Sequence, residues 1–196
     1  MSEGYILDYY ETARQFIDLC NIEFTGRVLD IGGGGEGIIS QHSGDKVIAI
    51  DNRADELTAT PDIGLKIVMD ACLLNFLDSY FDNITCFYTL LYMDTQQIEQ
   101  FLNEAYRVLK NDALLWIWDA VIPADKTADV FIAQLDIKIS EQTVIKVGYG
   151  ASWIKEQSLA VIKALCEKAG FAFHKGIESN ESFSLCLRKR RPYDNR

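Results

Sequence analysis

The chain has little of what marks several protein classes. No window of it approaches the roughly 20 apolar residues that a membrane-spanning helix needs, so no such helix is expected. Its first residues, MSEGYILDYY, carry Glu3 and Asp8 without a basic start, so no secretory leader is expected either. The five cysteines, at 20, 72, 86, 166 and 186, stand singly without a C-x-x-C pair. That usage excludes a disulfide-stapled scaffold and fits a reducing, cytoplasmic setting. Only two histidines occur, His42 and His174, with no ligand spacing around them, so no metal site is expected. Gly/Ser linkers, repeats and low-complexity tracts are missing. Basic charge is also scarce: 19 Lys and Arg stand against 29 Asp and Glu, a net charge of −10. Such a surface repels phosphate backbones and disfavours nucleic acid as a partner. The segment 188–196, RKRRPYDNR, runs the other way, and the remaining 14 basic and 28 acidic residues leave −14. It reads as a solvated end after a last strand.

What is present is an ordinary globular composition, 48% apolar and 24% charged over 196 residues, with room for one domain spanning 1–196. Short apolar runs alternate with helical patterns, as in a parallel sheet covered by helices. Strands are predicted at 27–31, 46–51, 66–69, 83–87 and 113–118, each mostly apolar, as in strands buried on both faces. Residues 8–20, within a leading segment 1–24, read as an amphipathic helix. A helix over 95–109 has Asp94 as cap and Gln97 three residues on, a capping box. Another is predicted from about 152 to 169, stopped by Gly170. The chain ends in two predicted strands, 171–175 and 183–188, whose short polar connection suits an antiparallel pair. Residues 123–150 are less regular. Their loose alternation allows a hairpin, read as an insertion over the sheet edge.

The chemistry begins at VLDIGGGGEG, residues 28–37. An apolar strand ends in Asp30 and enters a glycine cluster, where the backbone can turn and approach a ligand without a side chain in the way. The spacing of Gly32, Gly34 and Gly37 also fits a dinucleotide loop. The second strand, VIAID, ends at Asp51, placed to accept bonds from both hydroxyls of a ribose. Adenosine recognition is thus indicated twice, without a decision between a nicotinamide dinucleotide and S-adenosylmethionine. Asp30 sits two residues before the first glycine, where dinucleotide loops keep an apolar residue, and a third acid, Asp70, ends the third strand.

These motifs resemble the class I S-adenosylmethionine-dependent methyltransferases of the methyltransferase-11 type. The glycine motif is similar to the family's D-x-G-x-G-x-G, with Glu36 where glycine is the rule. DACLLNFLDSYFDNI, residues 70–84, follows D-A-x-x-L-P-F-x-D-x-x-F-D-x-V with Asn75 for proline. AYRVLKNDALLWIWD, residues 105–119, follows the R-V-L-K-P-G-G turn with Asn111, Asp112 and Ala113 for its last three residues. AGF at 169–171 is the family's entry to the sixth strand. The resemblance, which runs from Arg27 to about Lys189, implies an α/β fold. Its core would be a Rossmann-like, seven-stranded, mostly parallel sheet of order 3-2-1-4-5-7-6, with strand 7 antiparallel and helices on both faces. It implies S-adenosyl-L-methionine as cofactor, with S-adenosyl-L-homocysteine as product.

On the family's pattern, Gly32 and Gly34 would approach the methionine part and Asp30 would orient its amino group. Asp51 would take the ribose, Asn52 would lie against the adenine, and Asp70 with the Ala71 backbone would bond it. Cys86 and Phe87 would line the methyl-donor pocket, and Tyr10 of the leading helix would close over the cofactor. The family has no universal catalytic residue. By place, Tyr92 after the fourth strand and Asp119 at the end of the fifth are the candidates for contact with the acceptor. The segment 123–150, with Tyr149 and Trp153, is the candidate substrate cap. The acidic chain favours a small or cationic acceptor. A nicotinamide-dependent oxidoreductase, and a methyltransferase fold kept for binding without turnover, are the other readings. Monomer and homodimer are both compatible with the sequence.

Overall fold

A computed structural model describes residues 7–190; residues 191–196 of the basic tail lie outside them. Two short strands open the described chain, β1 (Tyr9–Glu11) and β2 (Gln15–Asp18). Next come β3 (Val28–Ile31), α1 (Ile38–Ser43), β4 (Val47–Asp51), α2 (Ala54–Ala59), β5 (Leu65–Val68) and β6 (Phe81–Phe87). The second half holds α3 (Thr95–Val108), β7 (Leu109–Ala120), β8 (Val130–Ser140), β9 (Thr143–Ser152), α4 (Leu159–Lys168), β10 (Phe171–Glu178) and β11 (Ser182–Lys189).

Seven strands form the main sheet in the order β5-β4-β3-β6-β7-β11-β10. Counted along the chain within that sheet, this is 3-2-1-4-5-7-6, as the resemblance implies. The first five are parallel, and β11 runs antiparallel to both neighbours. The sheet is built where the apolar runs are: every residue of β3 is buried. α3 and α4 cover one face through Ile98, Phe101, Leu102, Ala105, Ile162 and Cys166. The capping box of α3 forms as expected, with Gln97 N donating to Asp94 Oδ1 at 2.8 Å and Asp94 N to Gln97 Oε1 at 2.9 Å. Where relatives turn through Pro-Gly-Gly, Asp112 carries φ +63°, a conformation aspartate tolerates better than most side chains.

The other face differs from expectation. α1 covers part of it, and a second sheet covers the rest. In that sheet β8 pairs with β9 on one edge and with β1 and β2 in parallel on the other. Residues 123–150 therefore hold a long hairpin that packs on the face of the main sheet, not over its edge. Ala133, Leu135 and Ile137 are fully buried in the same cluster as Trp118 and Ala120 of β7. The leading helix predicted over 8–20 is absent. Tyr9 and Phe16 are both more than 60% exposed, while Leu19 is buried and Ile17 packs against the cluster. The reason lies 120 residues away. The open edge of β8 presents backbone groups that must be paired, and the leading segment satisfies them. Such tertiary pairing outweighs a weak local helical pattern.

The helix predicted from 152 starts later. Trp153 N donates to Asp129 O at 2.9 Å, and Gln157 pairs with Ile122, which keeps 153–157 out of the helix. Ser158 then caps α4, its hydroxyl accepting from Val161 N at 3.3 Å.

Candidate active site

The chain leaves β3 toward β4 and β5 on one side, and returns to β6 and β7 on the other. Ligands of open α/β sheets bind in the crevice beyond the strand ends at such a switch point. Here it holds a cavity of about 590 Å³, within the usual range for small-molecule sites. Asp30, Gly32, Gly34, Asp51, Asn52, Asp70, Ala71, Phe87 and Tyr92 all line it, so most of the sequence-derived residues converge.

Asp30 ends its strand deeply buried, 2% exposed. Its Oδ1 accepts the Thr85 hydroxyl at 2.7 Å, and its other oxygen takes no hydrogen bond from a described residue. Burial pushes this carboxyl up to about 7, against the pull of the Thr85 bond and with help from the nearby Asp51 charge. A buried carboxylate with one open oxygen on a cavity wall suits a cationic group. Asp51 Oδ1 accepts Arg53 N at 2.9 Å, and Asp70 Oδ1 accepts Cys72 N at 2.8 Å. Each acid is thereby held by the turn that follows it while still lining the cavity.

The glycines serve the protein's own packing as well as any ligand. Gly32 has φ +67°, and a Cβ there would fall 2.4 Å from Thr89 Oγ1. The Thr89 hydroxyl donates to Ile31 O at 2.9 Å, which pins the loop to the turn after β6. A Cβ on Gly34 would lie 2.6 Å from Glu56 Cβ and 2.8 Å from Asp51 Oδ2. The loop is pressed between two neighbouring turns, which leaves its outer side to the cavity.

Four expectations need correction. Cys86 does not line the pocket: on β6 it points to the α3 and α4 side, fully buried, while Phe87 turns the other way and tilts on Trp118 at 5.9 Å. Successive strand side chains face opposite ways. Tyr10 does not close over the cavity. It lies on β1, stacked on Phe131 at 5.7 Å and beside Trp153. Trp153 is core too, its Nε1 donating to Pro123 O at 3.2 Å. Asp119 does not face the mouth. It is fully buried, with Oδ2 accepting Leu90 N at 2.8 Å and Oδ1 accepting Ala120 N at 2.8 Å and Gln157 Nε2 at 2.9 Å. Its carboxyl is pushed up to about 6 by burial. Lys155 Nζ reaches Leu90 O at 2.9 Å, so both backbone groups of Leu90 are held. Asp119 thus clamps the 3-10 turn Leu90–Tyr92 that presents Tyr92, and does so from behind. Tyr92 is half-exposed on the cavity wall, its hydroxyl pKa raised by burial and by the charges of Asp119, Glu56 and Glu36.

The hairpin reaches the cavity through Val147, Gly148, Tyr149 and Gly150. Tyr149 stacks on Tyr88 at 5.6 Å and 27°, and its hydroxyl donates to Glu36 Oε2 at 3.0 Å. Tyr88 sits at φ +50°, a strained position for a non-glycine residue at a strand exit. Sequence reasoning missed Tyr88, Thr89, Arg53 and Glu56 as lining residues, and noted Glu36 only as a departure from glycine. That departure was the one local signal for it.

Residues 29–117 match a family model described as a methyltransferase domain. No match was found among curated proteins. Several solved structures share the fold. An S-adenosylmethionine-dependent methyltransferase from Methanosarcina mazei is 18% identical, with 86% of this chain and 94% of that chain covered and a TM-score of 0.60. One from Clostridium acetobutylicum is 12% identical, covering 86% and 85%, with a TM-score of 0.60. One from Mesorhizobium loti is 13% identical, covering 85% and 93%, with a TM-score of 0.58.

Proposed function

From a chain with the class I methyltransferase fold and a methyltransferase-domain match over 29–117, we propose S-adenosylmethionine-dependent methyl transfer to a small-molecule acceptor. The observation that carries it is the convergence of three strand-end carboxylates, Asp30, Asp51 and Asp70, on one crevice at the switch point. When bound, S-adenosylmethionine supplies a methyl group already activated on a sulfonium. The open oxygen of Asp30 is suited to its amino group. Asp51 is suited to the ribose hydroxyls, and Asp70 and the Ala71 backbone to the adenine, with Asn52 against the ring. The glycine loop at Gly32 and Gly34 would flank the methionine portion, and Phe87 would form an apolar wall. With the donor activated, the chain's work is to position the acceptor and exclude water. Tyr92, on the cavity wall, would serve the first task, holding an acceptor by a hydroxyl that stays protonated at neutral pH. The hairpin segment around Tyr149 is placed for the second, as a cap over the mouth.

Calorimetric titration with S-adenosylhomocysteine, with NADH as comparison, tests this reading. Wild type is expected to bind S-adenosylhomocysteine at micromolar concentration and to ignore NADH. Asp51→Ala removes a charge-assisted acceptor of about 1.5–3 kcal/mol, a loss of at least tenfold in affinity. Binding of NADH would support an oxidoreductase, and silence for both ligands would support a fold kept for a partner.

A further inference from the structure

With Asp30, Asp51 and Asp70 assigned to the donor, the cavity wall keeps two carboxylates, Glu36 and Glu56. Glu56 already has a cation: Arg53 Nη1 lies 3.0 Å from its Oε1. Arg53 is the single basic residue lining the cavity among the described residues, and its other nitrogen pairs with Asp55. Glu36 has no cation. Its Oε2 accepts the Tyr149 hydroxyl at 3.0 Å, and no other described group bonds the carboxylate, which has room for two or three more donors.

The surroundings of Glu36 are aromatic. Tyr149 stacks on Tyr88, and Tyr92 stands close enough that the Glu36 charge raises the pKa of its hydroxyl. The charge of Asp30 also reaches Tyr149, so this corner adjoins the place argued for the donor's amino end. A carboxylate without a counter-charge, on a cavity wall it shares with Tyr88, Tyr92 and Tyr149, is recognition chemistry for an organic cation. A neutral guest would leave Glu36 uncompensated, and an anionic one would add repulsion from the whole acidic wall. We propose that the methyl acceptor carries an ammonium group, seated on Glu36 against the rings of Tyr92 and Tyr149. This inference rests on the methyltransferase reading for the word acceptor, while the cation subsite itself is a property of the cavity. Glu36 comes from the glycine loop and Tyr149 from the hairpin, so the two sheets each supply one half of the subsite.

Three near-isosteric probes separate the charge states: benzylamine, benzyl alcohol and benzoate. Each is titrated by NMR at pH 7 into the free chain and into the chain saturated with S-adenosylhomocysteine, for wild type, E36Q and Y149F. Benzylammonium is expected to bind wild type several-fold more tightly than benzyl alcohol, with benzoate weakest. In E36Q the ammonium is expected to weaken several-fold, to about the affinity of the alcohol, while the alcohol is unchanged. Y149F, which keeps the ring, is expected to keep the preference. Equal binding of amine and alcohol by wild type, tightest binding of benzoate, or an undiminished preference in E36Q would each overturn the proposal. If E36Q does not fold, the amine preference of wild type saturated with S-adenosylhomocysteine, where the open oxygen of Asp30 is taken, decides. Failure of S-adenosylhomocysteine to bind overturns the methyltransferase reading alone, since the amine preference is read independently on the free chain.

Discussion

Asp30 concentrates the electrostatics of the site in one carboxyl group. Its carboxyl is raised to about 7 by burial, well above the ~3.9 of an unfolded aspartate. Between those values the folded chain holds a proton that the unfolded chain has lost, so this residue's contribution to stability falls as pH rises through the window. A cationic group on the open oxygen would favour the carboxylate and release that proton. The affinity for S-adenosylhomocysteine, whose amino group is charged, is therefore expected to rise about tenfold from pH 6 to pH 8, with proton release on binding. Calorimetry in buffers of different ionisation heat reads both quantities. Asp30→Asn should flatten the profile, and an unchanged slope in that variant would assign the proton elsewhere.

At the scale of elements, the second sheet replaces helical cover on one face of the main sheet and brings Tyr149 to the cavity. Its inward side is core. Leu135→Ala, at a fully buried position of β8, is expected to cost about 2–5 kcal/mol in denaturant unfolding. Phe16→Ser, at a 64%-exposed position of β2, should stay within about 0.5 kcal/mol. The same sheet accounts for the place of Asp119. Gln157, held by its pairing with Ile122, closes over the buried carboxylate and completes the clamp on the turn that presents Tyr92.

For the molecule as a whole, charge sets the choice of partner. The net −10 and a cavity wall with five carboxylates against one arginine oppose polyanions. Fluorescence anisotropy at about 0.15 M salt is expected to show no binding of single-stranded RNA or duplex DNA. Binding there would point to the basic end of the chain, 188–196, which runs against the rest. Among the described residues no helix is long and apolar enough to cross a membrane.

The main sheet, the capped helix Thr95–Val108 and the acids at three strand ends are legible in the residues alone. These signals are local: a strand buried on both faces needs a mostly apolar run, and a capping box needs residues three apart. Family motifs over the same stretches carried the strand order. Asp119 turning inward and the leading segment forming two strands are set by tertiary contacts, not by local pattern. The tertiary structure alone brought Glu36 to Tyr149 across 113 residues of chain. The physical reason is the same in each case. A side chain's partner, and the strand edge a segment must satisfy, come from distant residues whose approach no local pattern encodes.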